Sequence, residues 1–154
     1  MKVRVLLFKD RSPWSKLVKF ATWGPYSHAA LLTPEGTVID CWPKIGVQEV
    51  PLAALPHRKG TPVDVFDIDH PHFNPKAALD FARRQIGKPY DLAAIVGLLL
   101  HCRTEHPGWW FCSELLHRSV AFGGTLLLNC PSYKVTPSML AWSPRLRLAY
   151  TITL

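Results

Sequence analysis

Four strand-like runs follow one another between His28 and Ile68, and they narrow the folds open to this chain more than any other feature. His28 to Leu32 and Thr37 to Cys41 are joined by the turn Thr33-Pro34-Glu35-Gly36, which reads as a hairpin. Gly46 to Val50 and Pro62 to Ile68 read as further strands, with Pro51 to Leu55 a short turn or helix between them. Val3, Val5 and Leu7 alternate with Lys2, Arg4 and Leu6 and suggest a first strand; Leu146 to Thr153 suggests a closing one. Helices flank this block. Ser12-Pro13 and Asn74-Pro75 each place a capping side chain before a proline suited to the first helical position. Trp14, Leu17, Val18 and Ala21 share one face of the first helix, which Gly24-Pro25 ends; the second runs through Ala78, Phe81 and Ala82 to Gly87. Asp91 opens a largely apolar helix to about Leu100, Cys112 opens another that Gly123-Gly124 stops, and a short helix is expected near Ser138 to Trp142. The fold class expected is α+β: a mostly antiparallel sheet of five or six strands with helices packed on one side, as a single domain over residues 1–154.

A chain of 154 residues with 48% hydrophobic and 19% charged side chains can bury a core and is not expected to be disordered. Eighteen Lys and Arg against eleven Asp and Glu give a formal charge of +7. That charge is compatible with an anionic partner, such as a cell-wall polymer, phospholipid headgroups or nucleic acid, but with the basic residues scattered the preferred reading is ordinary solubility. The basic residues are scattered without aromatic interleaving, so no nucleic-acid platform is expected. The longest apolar run, Leu92 to Leu100, falls well short of the roughly 20 residues that cross a bilayer. Lys9, Asp10 and Arg11 end the N-terminal apolar stretch too early for a signal peptide. The chain therefore reads as soluble and cytoplasmic as written; export would need a route that leaves no cleaved signal.

Cys112-Ser113-Glu114-Leu115 occupies the expected first turn of a helix. A thiol there is easy to ionise, because unpaired backbone N–H groups and the positive dipole end stabilise a thiolate. His28 opens an apolar strand elsewhere, so nucleophile and base would come from separate elements. With a three-residue loop centred on Glu35, Asp40 lies opposite Ala30, and strand alternation puts His28, Ala30, Val38, Asp40 and Trp42 on one face. Asp40 is then the diagonal neighbour of His28, about 7 Å away by Cβ and able to hold one ring nitrogen. Taken alone, His28 is more simply a structural histidine, since His57, His70, His72, His101, His106 and His117 also occur. The Cys112 helix is what gives it a catalytic reading. Glu114 follows Cys112 by two helical positions and points about 200° away, so it reads as a structural support of the site, as does Ser113.

Tyr90, in the turn Gly87-Lys88-Pro89-Tyr90-Asp91, offers a hydroxyl for an oxyanion or substrate; from the residues alone, a buried structural tyrosine is an equal reading. Trp109, Trp110 and Phe111 would wall a cleft or pack the core. His101, Cys102 and His106 match no zinc spacing, so no metal site and no cofactor is expected. Cys41 and Cys130 sit in apolar or turn settings and read as inert; no CxxC pair and no disulfide scaffold is present.

Phe111-Cys112-Ser113-Glu114-Leu115-Leu116, the upstream Ser27-His28 strand and the Gly87-x-Pro89-Tyr90-Asp91 turn together resemble the permuted NlpC-type papain-like enzymes. This is the YiiX/YaeF-type group, related to the lecithin–retinol acyltransferase branch. The resemblance covers about residues 24 to 122; histidine precedes cysteine, which is the permuted order. It implies a circularly permuted papain-like fold with Cys112 as nucleophile, His28 as base and Asp40 as the polar third residue, where permuted relatives often carry glutamate. Tyr90 would lie beside the nucleophile. The implied function is a cysteine-dependent hydrolase that cleaves an amide through a thioester, on peptide-like substrates such as peptidoglycan stem peptides. Two rival readings are a lipid-ester hydrolase or acyltransferase using the same pair, favoured if the Leu92 helix lines an acyl groove rather than filling the core, and a non-catalytic binding module.

Overall fold

A computed structural model describes residues 2–100 and 106–154. His101 and Cys102 lie outside the described residues, as do the side chains of Trp14, Ala21 and residues 98–100. Six strands form one sheet: β1 (Arg4–Phe8), β2 (His28–Leu32), β3 (Thr37–Trp42), β4 (Gly46–Pro51), β5 (Pro62–Ile68) and β6 (Leu146–Thr153). Every pairing is antiparallel, in the order β4-β3-β2-β1-β5-β6. β1 is therefore central, with β2 on one side and β5 on the other. The helices are α1 (Pro13–Thr22), α2 (Pro75–Arg83), α3 (Leu92–Leu100), α4 (Cys112–Phe122) and α5 (Pro137–Leu140). Among the described residues no helix is long and apolar enough to cross a membrane.

The caps behave as their side chains dictate. Ser12 Oγ accepts from the Ser15 N–H at 3.1 Å, Asn74 Oδ1 from Ala77 at 3.1 Å and Thr136 Oγ1 from Met139 at 3.2 Å, each ahead of a proline in the first turn. Asp91 caps α3 in the same way, accepting from Ala94 at 3.1 Å.

Strand alternation divides the core in two. Val5, Leu7, Ala29, Leu31, Ile39 and Cys41 face the helices, where Leu79 of α2 and Leu115, Leu116 and Val120 of α4 pack on them. Leu6, Phe8, Ala30, Val38, Val63 and Val65 fill the opposite face, which Leu52 and Leu55 from a 3-10 turn cover. The second face is the one that carries His28 and Asp40.

Where β3 turns into β4 the backbone passes close against another segment. Gly46 has φ +82°, and a Cβ built there would collide with the carbonyl oxygen of Lys88. The Val47 N–H donates to that same oxygen and the Gly87 N–H donates to Val47 O, both at 2.9 Å. These bonds pin the turn that precedes Tyr90 to the hairpin that carries Asp40. Gly46→Ala combines a left-handed backbone with a backbone clash, so it is expected to cost roughly 2 kcal/mol or more of stability. Gly36→Ala meets the same conformational penalty at φ +83° in open space and should cost only about 1 kcal/mol. Urea unfolding of the two variants measures the difference.

Candidate active site

The hairpin register sets the first half of the site. Leu31 pairs with Ile39 and Leu32 with Val38, so position 40 falls opposite position 30, as the three-residue loop requires. Only those two pairs join β2 to β3, whereas β2 pairs with β1 over all five residues and β3 with β4 over all six. The two strands thus part towards their His28 and Asp40 ends. Across that opening His28 Nε2 donates to Asp40 Oδ2 at 3.1 Å, with both side chains buried. The indole N–H of Trp42 donates to the same oxygen, and its ring lies 4.5 Å from the His28 ring by centroids. Trp42 therefore covers the bond between the histidine and the aspartate and keeps water from it.

The start of β2 is held by three hydrogen bonds from two sides. The Ser27 N–H and hydroxyl both donate to Phe8 O, at 2.9 and 3.2 Å, and the Tyr26 N–H donates to Ser138 Oγ at 3.1 Å. His28 is thereby fixed between β1 and α5 before its own side chain makes any contact.

Helix α4 brings the second half. It packs against β2 and β3, and Cys112 is its first residue. Phe111, at the cap position, supplies no side-chain acceptor, so the first-turn N–H groups face the site without a competing cap. Ser113 Oγ donates to Val135 O at 2.5 Å, and the Cys41 thiol donates to Trp110 O at 3.3 Å, which ties the segment leading into α4 to β3. Cys112 lies beside the His28 ring, close enough for its charge to act on it. Since Asp40 occupies Nε2, Nδ1 is the nitrogen left for sulfur.

Electrostatics follow from this arrangement. Burial opposes charge on His28, but the adjacent Cys112 and the bond to Asp40 outweigh it and raise the imidazole from its ordinary 6.5 to about 10. Burial pushes the Cys41 thiol up, and the neighbouring Cys112, Asp40 and Glu114 charges push it further, which makes it a poor nucleophile. Tyr90 is likewise raised by burial and by the nearby Cys112, Cys41 and Asp91, so its phenol stays protonated and able to donate. It lies beside the cysteine, tethered by an isolated parallel bridge to Trp110 and with its ring 5.8 Å from Phe111.

No family model matches the sequence, and no curated protein matches it. Among solved structures, that of the metalloprotein YiiX from Escherichia coli O157:H7 aligns with a TM-score of 0.70. The match covers 99% of this chain and 96% of that one, at 18% sequence identity. The chain has a YiiX-type fold. In this YiiX-type fold, strands β2 and β3 and the N-terminus of α4 bring His28, Asp40 and Cys112 together, with Tyr90 alongside. Glu114 is buried on the first turn of α4, close enough to Cys41 to act on its charge, while Asp40 is the carboxylate on the His28 ring.

Two features depart from the sequence reading. A partly exposed thiol is the expectation for a helix N-terminus, but Cys112 is only 2% exposed because Trp110 and Phe111 pack into the same core. His57 is the residue that sequence reasoning misses. Its ring stacks on Phe8 at 4.1 Å, meets Trp42 edge-on at 4.8 Å and lies 5.5 Å from His28. Burial and the neighbouring His28 cation lower it to about 4, so it stays neutral and acts as an aromatic wall behind the site. It arrives from the loop after the 3-10 turn, where no periodicity marks a side chain as inward-facing.

Proposed function

We propose that this chain is a cysteine-dependent hydrolase on a circularly permuted papain-like fold, cleaving an amide bond through a thioester. The observation that carries the reading is the His28 ring held by Asp40 at one nitrogen, with Cys112 beside it. His28 holds the thiol proton as an imidazolium, and the sulfur attacks the substrate carbonyl carbon. The carbonyl oxygen becomes an oxyanion that the backbone N–H of Cys112 and the Tyr90 hydroxyl stabilise. His28 then returns the proton to the leaving amine as the C–N bond breaks. In the second half, His28 removes a proton from water, water attacks the thioester carbonyl, and the C–S bond breaks to regenerate the thiol. Asp40 keeps the ring oriented and supports its cationic form.

The substrate class that fits this reading is an amide in a peptidoglycan stem peptide. Incubation of the protein with muropeptides is expected to yield a new amine and carboxylate, detected by mass spectrometry, and no product with Cys112→Ala. One observation favours the lipid-ester alternative: α3 packs Ala94 on the core but leaves Leu92 and Val96 about half exposed. Phospholipids are therefore the paired substrate. Fatty-acid release without muropeptide cleavage would replace the amide with an ester.

The E. coli protein is described as a metalloprotein. Here no three His, Cys, Asp or Glu side chains among the described residues converge as a donor set, so these residues do not fit a bound metal and no step is routed through one.

A further inference from the structure

We propose that the face formed by α1 and α3 docks on the surface of an anionic phospholipid bilayer. Helix α1 is amphipathic in an unusual sense. Ser15 and Val18 turn inward, while Leu17, Phe20 and the capping residue Trp23 turn out, Phe20 being 70% and Trp23 88% exposed. Their two rings stack 6.3 Å apart, so they present one continuous aromatic surface. Aromatic side chains carry roughly 150–250 Å² each, and this pair alone leaves on the order of 300 Å² of apolar surface to solvent, the scale at which patches on soluble proteins mark a function. Helix α3 packs against α1 and adds Leu92 and Val96, one turn apart, at 51% and 49% exposure.

Trp23 carries the argument further. It ends α1 in the left-handed conformation, at φ 50° and ψ 41°, a position that favours glycine or asparagine and is costly for a bulky aromatic. At 88% exposure, the ring has the stack on Phe20 on one side and solvent on most of its surface. An indole held outward at a helix end suits the headgroup layer, where its apolar body and its N–H are both satisfied.

Charge selects the occupant. Neither α1 nor α3 carries an acidic residue, and Lys16 on α1 and Arg11 just before it are exposed. Among the described residues the carboxylates beside the two helices are turned inward: Asp10 accepts from the Arg11 N–H at 2.6 Å and the Ser15 hydroxyl at 3.0 Å, and Asp91 is buried at the start of α3. Aromatic and aliphatic anchors beside lysine and arginine are the pattern of helices that lie in the interface of anionic membranes. Phe122, another exposed apolar side chain, does not share it, because it stacks on Phe81 under the Arg84 guanidinium.

The placement gives docking a consequence. From Trp23 the chain reaches His28 in five residues, and α3 begins two residues after Tyr90. A membrane against α1 and α3 would hold the His28 and Tyr90 end of the site close to the headgroups.

Co-sedimentation of the full chain with vesicles tests the proposal. The protein is expected to pellet with mixed phosphatidylcholine–phosphatidylglycerol vesicles, less with phosphatidylcholine alone, and progressively less as salt rises. The double variant Phe20→Ser with Trp23→Asn should lose at least about tenfold in affinity, and Lys16→Glu should weaken binding to the anionic vesicles only. Both change exposed positions, and asparagine tolerates the left-handed cap, so a native circular dichroism spectrum is expected. Leu148→Ser, at an exposed position on the edge strand β6, serves as the control that binds like wild type. Cys112→Ala should also bind like wild type, so a failed hydrolase reading leaves docking intact and a failed docking leaves the thiol chemistry intact. No pelleting by wild type, equal pelleting by the double variant, or self-association through this face in place of vesicle binding would each overturn the proposal.

Discussion

Replacing Cys112 by alanine is expected to lower turnover by at least about three orders of magnitude while the protein stays folded. Alanine suits a helix and fills most of the space the thiol occupied, and the bonds that hold α4 in place come from Ser113 and the Trp110 carbonyl rather than from Cys112. The loss is chemical: without sulfur no thioester forms, and the remaining oxyanion donors act on a substrate that meets only water. Cys112→Ser should be nearly as inactive, since a hydroxyl is far harder to ionise beside the same imidazole. Cys130→Ala should keep full activity. Cys41→Ala loses the hydrogen bond to Trp110 O, so it is expected to lower the melting temperature without removing turnover. Product formation from muropeptides and thermal melts, measured on all four variants, separate these outcomes. Wild-type rates in Cys112→Ala would end the thiol-enzyme reading.

What the sequence discloses of this site is the part governed by short-range geometry. Strand alternation and a three-residue loop are enough to place Asp40 beside His28, because the turn sets the register and the register sets the face. Helical periodicity is enough to separate Glu114 from Cys112. The sheet order is different. That β5 returns to pair with β1, leaving β1 central and β4 at an edge, depends on which apolar faces meet in space, and no local pattern encodes it. The same holds for the cover over the site. Trp42 is on the correct face by alternation, yet its indole bond to Asp40 depends on the parting of β2 from β3, and His57 comes from a loop with no periodicity. Helix α3 misleads for a related reason: its nine apolar residues look like core, but apolar composition does not say which side a neighbour covers, and α1 covers only part of it.

His28 should keep its proton in the folded protein to about pH 10, and that titration should collapse when Cys112 is removed. Burial alone would drive this ring towards the neutral form. It is overcome first by the charge of Cys112 and then by the bond to Asp40, so the two supports can be taken away in turn. In Cys112→Ala the stronger support is gone, and the His28 midpoint should fall further than it does in Asp40→Asn, where the sulfur remains. A midpoint raised in the native state also has a thermodynamic sign. Between the unfolded value of 6.5 and the folded value near 10 the native chain binds the extra proton. His28 therefore contributes its full stabilisation below pH 6.5 and loses it as pH rises through 10. Unfolding free energy should decline across that window in wild type and should be flatter there in His28→Ala. NMR titration of the ring carbon-bound proton follows the midpoint, and denaturant melts at several pH values follow the stability. In the proposed hydrolase, the imidazolium that survives at neutral pH would be the acid that protonates the leaving amine. An ordinary midpoint near 6.5 in wild type, unmoved by Cys112→Ala, would mean that sulfur and imidazole do not sense each other, and the fold would then serve binding rather than catalysis.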